Sequence, residues 1–135
     1  LERSGPERFL SSHVLLESVC ETLNEQPDDA MLALLGEWAA ELWVLRQMSL
    51  SVASRLERGE APMLEAAIVK DLGARYEQSI ARDLSGAFTA SSFSDAGAGI
   101  EPVLTYLVAS SPCFSLRGGT REILRGIIAR ELGLR

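Results

Sequence analysis

The chain has 135 residues, a length that suits one domain with a sizeable core. Hydrophobic residues make up 47% and aromatic residues only 6%, which favours a helical bundle over a β-sandwich. Acidic residues outnumber basic residues 19 to 13, and the formal net charge of -6 argues against a nucleic-acid or anionic-membrane surface, because either would need a basic patch.

The spacing of apolar residues predicts two helices in the first half of the chain. The first follows Pro6, which suits the opening turn of a helix, and it ends at the polar residues 24–27. Asp28 or Asp29 can cap the second, which stops at Gly59 and would be roughly 28 residues and 42 Å long. Its apolar stripe consists of Met31, Leu35, Trp38, Leu42, Leu45, Met48 and Leu56.

A third helix is predicted over residues 62–88. Pro62 opens it, and Gly73 is either a weak point of the helix or a close-packing site. Residues 89–99 are mostly small and polar and are predicted to form a loop. The apolar stripe of this third helix consists of Leu64, Ile68, Leu72, Tyr76 and Ile80.

Two more helices complete the predicted architecture. A short one covers residues 102–108, and Ser111-Pro112 prevents it from extending further. Thr120 caps the last one, which carries apolar residues on one face and is terminated by Gly133. No segment alternates convincingly at period two. The sequence therefore predicts an all-α fold, an antiparallel bundle of four or five helices.

Cysteine usage and the start of the chain bear on its compartment. Cys20 and Cys113 lack metal-type spacing, so we expect two free cysteines that behave as small buried hydrophobes, in a reducing cytoplasm. No apolar run approaches the roughly 20 residues that span a bilayer.

The chain opens on Leu1 rather than methionine, and we expect residues 1–135 to be one domain of a longer protein.

The most specific pattern lies at the end of the chain, where Arg117-Gly118-Gly119-Thr120-Arg121-Glu122-Ile123 leads into the last helix. A glycine pair lets the backbone approach a ligand closely, and a helix amino terminus offers N–H groups to anions. An ordinary capped helix is the alternative. The segment resembles the closing signature of the acyl-CoA dehydrogenases, flavin enzymes that desaturate acyl thioesters. The chain as a whole is similar to the carboxy-terminal helical domain of that family.

The resemblance implies an enzyme that takes an acyl-CoA substrate and FAD. A base removes the α-proton of the thioester while the β-hydride passes to the flavin. This domain would supply one wall of the acyl pocket, flavin contacts at Gly119, Thr120, Arg121 and Glu122, and interface surfaces of a homo- or hetero-oligomer. Alone it is expected to be inactive and not to bind FAD.

The resemblance also implies a position for the base. Much of the family has a glutamate just before the Gly-Thr pair, where this chain has Gly118, which cannot take a proton. The isovaleryl and long-chain types instead use a Glu-Arg pair in the first helix of the domain, and this chain has Glu2-Arg3. Glu2 is then the candidate base and Arg3 its support; a solvated charge pair is the alternative.

Two departures from the family pattern leave another role open. The arginine that would hold a neighbouring subunit's pyrophosphate is missing, because no lysine or arginine lies between Arg8 and Arg46, and residues 83–87 lack the Gln-x-x-Gly-Gly loop. An acidic surface would repel a pyrophosphate. The chain could then be a degenerate, non-catalytic partner subunit or a helical interaction module. The acids in question are Glu17, Glu21, Glu25, Asp28, Asp29, Glu37 and Glu41.

Overall fold

The computed structural model describes residues 9–22, 29–87 and 100–134, and these residues form five α-helices and no strand. The all-α prediction is confirmed for this part of the chain. In chain order the helices are α1 His13–Thr22, α2 Asp29–Glu57, α3 Met63–Ala87, α4 Ile100–Phe114 and α5 Arg121–Glu131.

Helix α2 is the longest helix of the described residues, and it follows the sequence prediction closely. It starts at Asp29 and ends in two hydrogen bonds, from Gly59 N–H to the Leu56 carbonyl at 2.9 Å and from Glu60 N–H to the Arg55 carbonyl at 3.0 Å. The φ of Gly59 is 76°, the left-handed value that this helix ending requires. Its buried and half-buried side chains follow the predicted stripe: Met31, Leu35, Trp38, Leu42, Leu45 and Met48.

Helix α3 is the central helix, because it packs against α2, α4 and α5, while α1 packs against α4. Of its predicted stripe, Tyr76 and Ile80 are buried and the other three residues are half-buried. A helix covered by three neighbours buries more than one face, so the single stripe was too narrow a prediction. The buried residues of α3 are Ala67, Val69, Lys70, Gly73, Ala74, Tyr76, Glu77, Ile80, Ala81 and Leu84.

Gly73 is a close-packing site, one of the two possibilities that the sequence left open. A Cβ atom added to Gly73 would lie 2.8 Å from the Cβ of Phe9, a side chain that is 6% exposed. Real Cβ atoms do not approach that closely, and the Cβ of Phe9 cannot rotate away. The glycine therefore lets the segment before α1 lie directly on α3.

Replacing Gly73 by alanine should lower the free energy of unfolding of the full protein by about 1–2 kcal/mol. The overpacking cost of about 1–3 kcal/mol exceeds the gain of up to about 1 kcal/mol in helix propensity. Gly36 of α2 is the matched control, since nothing lies within 4 Å of a Cβ added there. Gly36→Ala should raise stability by about 0.5–1 kcal/mol. Urea denaturation measures both, and equal gains in the two variants would contradict the close approach.

Helix α4 is longer than predicted, running over Ile100–Phe114 rather than residues 102–108, and Pro112 lies inside its last turn. Proline lacks the N–H that would bond to the carbonyl of Val108. The hydroxyl of Ser111 donates to that carbonyl at 3.0 Å instead. The helix thus continues through Pro112, and the prediction that this proline ends it was wrong.

The start of α1 differs from the prediction, whereas the end of α5 agrees with it. Residues 9–12 are not helical, so α1 begins at His13 rather than just after Pro6, which lies outside the described residues. The predicted loop at 89–99 also lies outside them. Gly133 terminates α5 as predicted: its φ is 72°, and its N–H bonds to the Arg130 carbonyl at 3.0 Å.

Both cysteines are free and exposed, so the expectation that they are buried was wrong. Cys20 follows the buried Val19 and Cys113 precedes the buried Phe114. Neighbouring residues on a helix point in different directions, which turns each thiol away from the core. Within the described ranges, no helix has both the length and the apolar character needed to cross a membrane.

Candidate functional site

The turn before α5 contains two glycines whose backbone conformation requires glycine. The φ angles of Gly118 and Gly119 are 77° and 121°, in the region that side chains rarely adopt. A Cβ added to Gly119 would meet Ile123 and Leu124 at 3.8 and 3.9 Å, which is ordinary contact. Backbone conformation, and not lack of space, therefore accounts for Gly119.

Glu122 occupies part of the amino terminus of α5. Thr120 is the N-cap residue, and its side chain makes no cap bond to the backbone. The pKa of Glu122 is lowered, first by a hydrogen bond from its own backbone N–H and then by one from the Thr120 hydroxyl, with Arg125 and Arg121 adding charge. A carboxylate thus already uses one of the donors that an incoming anion would need.

Arg121 is held by α3. Its Nε lies 2.9 Å from Oδ1 of Asp71, and Nε of Arg125 lies 3.8 Å from the other oxygen of the same carboxylate. Asp71 is mostly buried, with 15% of its side chain exposed. The pair fixes the start of α5 on α3 and offsets much of the positive charge that a phosphate would attract.

A buried carboxylate on α3 binds the turn from its other side. Glu77 is 0% exposed, and its Oε1 accepts the backbone N–H of Ser11 at 2.7 Å. Its Oε2 lies 3.6 Å from Nη2 of Arg117, which donates to Oγ of Ser11 at 2.9 Å. The hydroxyl of Ser12 donates to the Glu77 carbonyl at 3.0 Å. We call these four residues, Ser11, Ser12, Glu77 and Arg117, the Glu77 network.

The Glu77 network joins three parts of the chain: the segment before α1, the middle of α3 and the turn before α5. Arg117 is held further by its guanidinium carbon, which lies 4.6 Å from the centre of the Phe114 ring. Sequence reasoning missed the network. A signal for it was present, because Glu77 lies four residues after Gly73 and three before Ile80, on a face that is mostly small and apolar apart from Lys70.

Comparison with known proteins bears on this arrangement. A family model described as the acyl-CoA dehydrogenase C-terminal domain matches residues 25–133, which is most of the chain. The chain belongs to the acyl-CoA dehydrogenase C-terminal domain family. A search of curated proteins gives no match. The matched residues include Gly119, Thr120, Arg121 and Glu122, and they begin after Glu2 and Arg3.

In this acyl-CoA dehydrogenase domain, Glu2 and Arg3 lie outside the described residues, so their placement as base and support stays a prediction. The other four candidate residues lie together at the start of α5. Among the described residues, no group of three or more His, Cys, Asp or Glu could hold a metal ion.

Tyr76 is a second buried titratable group of the domain. Burial and, to a smaller extent, the carboxylates of Glu41 and Glu77 together raise the pKa of its hydroxyl to about 12. The phenol is therefore neutral at physiological pH and cannot act as a base there.

Two open grooves flank α3 of the dehydrogenase domain. One, of ≈ 250 Å³, lies between α2 and α3 and is lined by Val44, Leu45 and Leu72 among others. The other, of ≈ 520 Å³, lies between α3 and α4 beside Gln78 and Ser111. Ser115, the first residue after α4, borders the second groove, and neither groove is lined by Gly118, Gly119 or Thr120.

Proposed function

We propose that this chain is the C-terminal helical domain of a flavin-dependent acyl-CoA dehydrogenase. Within that enzyme it supplies one wall of the acyl pocket, contacts to the flavin and part of a subunit interface. The match to the family over residues 25–133 carries the proposal, because it includes helices α2 to α5 and the turn between α4 and α5. The flavin, when bound, accepts the hydride from the β-carbon of the thioester.

The turn before α5 orients the flavin in this proposal. Gly119 and Thr120 present backbone to it, since a glycine at φ 121° leaves no side chain between the ligand and the main chain. Arg121, tied to Asp71, and Glu122, tied to Thr120, keep the turn in one position on α3. These residues would therefore suit an uncharged part of the flavin better than its phosphates.

We propose Glu2 as the base that removes the α-proton, with Arg3 as its support. Gly118 has no group that accepts a proton, and the neutral Tyr76 phenol cannot accept one at physiological pH. Glu122 is the carboxylate nearest in sequence to the turn, and its lowered pKa makes it a weak base. These observations favour a base from another part of the chain.

A non-catalytic partner subunit is the second candidate function, and the acidic surface of α1 and α2 favours it. No arginine or lysine lies between Arg8 and Arg46 to hold a pyrophosphate. Charges within about 8 Å of the phosphates act with little screening at physiological salt, so these acids would repel them. A related subunit would then supply the missing arginine. The exposed acids are Glu17, Glu21, Asp29, Glu37 and Glu41.

Flavin content of the full protein distinguishes the two candidates. The catalytic proposal predicts about one FAD per chain in a pure homo-oligomer, with a flavin absorbance that bleaches when acyl-CoA is added. The partner-subunit proposal predicts about half that content, in a mixed assembly with a related dehydrogenase subunit. Purification with and without coexpressed relatives, followed by absorbance spectroscopy, measures both. A colourless protein that assembles with no relative would contradict both and leave a helical interaction module.

A further inference from the structure

We propose that Glu77 is a positioning residue, which holds the Gly118-Gly119 turn and the segment before α1 in the relative placement that the dehydrogenase site needs. The inference rests on the proposed function, because the turn is the part of that site that the structure describes. It goes beyond that function in assigning a role to a residue that touches neither substrate nor flavin.

The burial of Glu77 is costly and unnecessary for packing. A fully buried carboxylate loses its hydration, and an apolar side chain of similar volume often packs as well or better. The position at 0% exposure nevertheless has a carboxylate, with one oxygen 2.7 Å from the Ser11 N–H and the other 3.6 Å from Arg117. Packing alone therefore does not account for the charge, whereas the two groups that it holds do.

The turn depends on Arg117 for its position. Gly118 and Gly119 have the backbone freedom of glycine, Thr120 makes no side-chain cap bond, and Leu116 is 63% exposed. The ion pair of Arg121 with Asp71 holds the helical side of the turn. On the other side, Arg117 binds Ser11 and faces the Glu77 carboxylate.

One carboxylate therefore anchors two segments that are far apart in the chain. The hydrogen bond from Ser11 to Glu77 spans 66 residues, and that from Arg117 to Ser11 spans 106. The segment before α1 and the turn before α5 are thus fixed to the same point of α3.

Glu77→Gln in the full protein tests the inference. Glutamine keeps the size and one acceptor for Ser11, but it removes the charge that faces Arg117. Hydrogen exchange of peptides covering residues 9–14 and 115–124 should become roughly tenfold faster or more, with the rest of the domain unchanged. Glu65→Gln is the matched control, because it removes another α3 carboxylate, one that pairs with Arg55 far from the turn. It should leave both peptides unaffected.

Kinetics separate positioning from a merely structural role. With octanoyl-CoA as the probe substrate, Glu77→Gln should lower kcat/KM by about tenfold to a hundredfold at temperatures well below unfolding. Losses of this size are expected when the groups of an active site are displaced by about 1 Å. The double variant Glu77→Gln with Arg117→Gln also removes the bond from Arg117 to Ser11, so its kcat/KM should be at least as low as that of Glu77→Gln alone. A purely structural role would instead lower the melting temperature and leave the kinetics of the folded enzyme unchanged.

The outcomes distinguish the two proposals. Unchanged exchange in both peptides, or kcat/KM within twofold of the control in an active enzyme, would overturn the role of Glu77. A wild-type protein that binds no flavin and oxidises no acyl-CoA would overturn the proposed function instead. The exchange measurement would still decide whether Glu77 holds the turn. If Glu77→Gln alone does not fold, the double variant gives the same exchange comparison.

Discussion

Changing Arg117 to methionine should lower the free energy of unfolding by about 2–4 kcal/mol. Methionine is an apolar side chain of similar length, so the change removes the guanidinium that lies over the Phe114 ring and leaves the Glu77 carboxylate, at 0% exposure, without the cation that faces it. A buried charge that loses its partner is among the most costly changes in a protein interior. We place the effect below that of a fully buried pair because 38% of the Arg117 side chain is exposed.

Because Arg117 is partly exposed and Glu77 is not, the two single changes should lower stability by different amounts. In Glu77→Gln, the unpaired guanidinium is partly in water, so that change should cost only about 1 kcal/mol. The double variant Glu77→Gln with Arg117→Met should recover much of the loss seen in Arg117→Met alone. Urea denaturation of the four proteins measures the coupling between the two positions. Equal losses in the two single variants would show that the carboxylate is hydrated or compensated by another group.

Changing Glu2 to glutamine in the full protein should reduce dehydrogenation by at least about a hundredfold, the usual scale for losing a positioned base. Glutamine has nearly the same shape but cannot take up the α-proton. Flavin content and thioester binding should stay largely intact, because neither needs that proton transfer. Stopped-flow measurement of flavin reduction by acyl-CoA follows the step directly.

Glu21→Gln is the control for this change, since it removes an exposed acid of α1 and leaves residue 2 a glutamate. It should leave the rate of flavin reduction unchanged. If Glu2→Gln kept its activity within a few-fold, another residue would be the base. The Glu2-Arg3 pair would then be a charged pair in contact with solvent.

The sequence correctly predicted those helix ends that depend only on a few neighbouring residues. The apolar stripe of α2 and the left-handed conformations of Gly59 and Gly133 follow from short-range rules, and the structure has them. Pro112 shows where such a rule fails. A hydroxyl one residue earlier supplies the bond that proline lacks, so the helix goes on.

The candidate site was predicted only where its residues are close together in the sequence. The glycine turn and the α5 amino terminus lie within one short motif, which can be identified from sequence. The Glu77 network joins residues 66 and 106 positions apart, and its members become neighbours only when α3 is packed. The chain before Phe9 lies outside the described residues, so the placement of Glu2 is untested.

The missing side chain at Gly73 also sets how far the amino-terminal segment stands from α3. Gly73 and Glu77 are one helical turn apart, and Phe9 lies two residues before Ser11, so the two contacts lie side by side. Any side chain at 73 would push the segment outward and stretch the 2.7 Å bond from Ser11 to the carboxylate. Through Arg117 that displacement would reach the turn before α5. A position with no functional group of its own thus sets the alignment of residues more than a hundred positions apart.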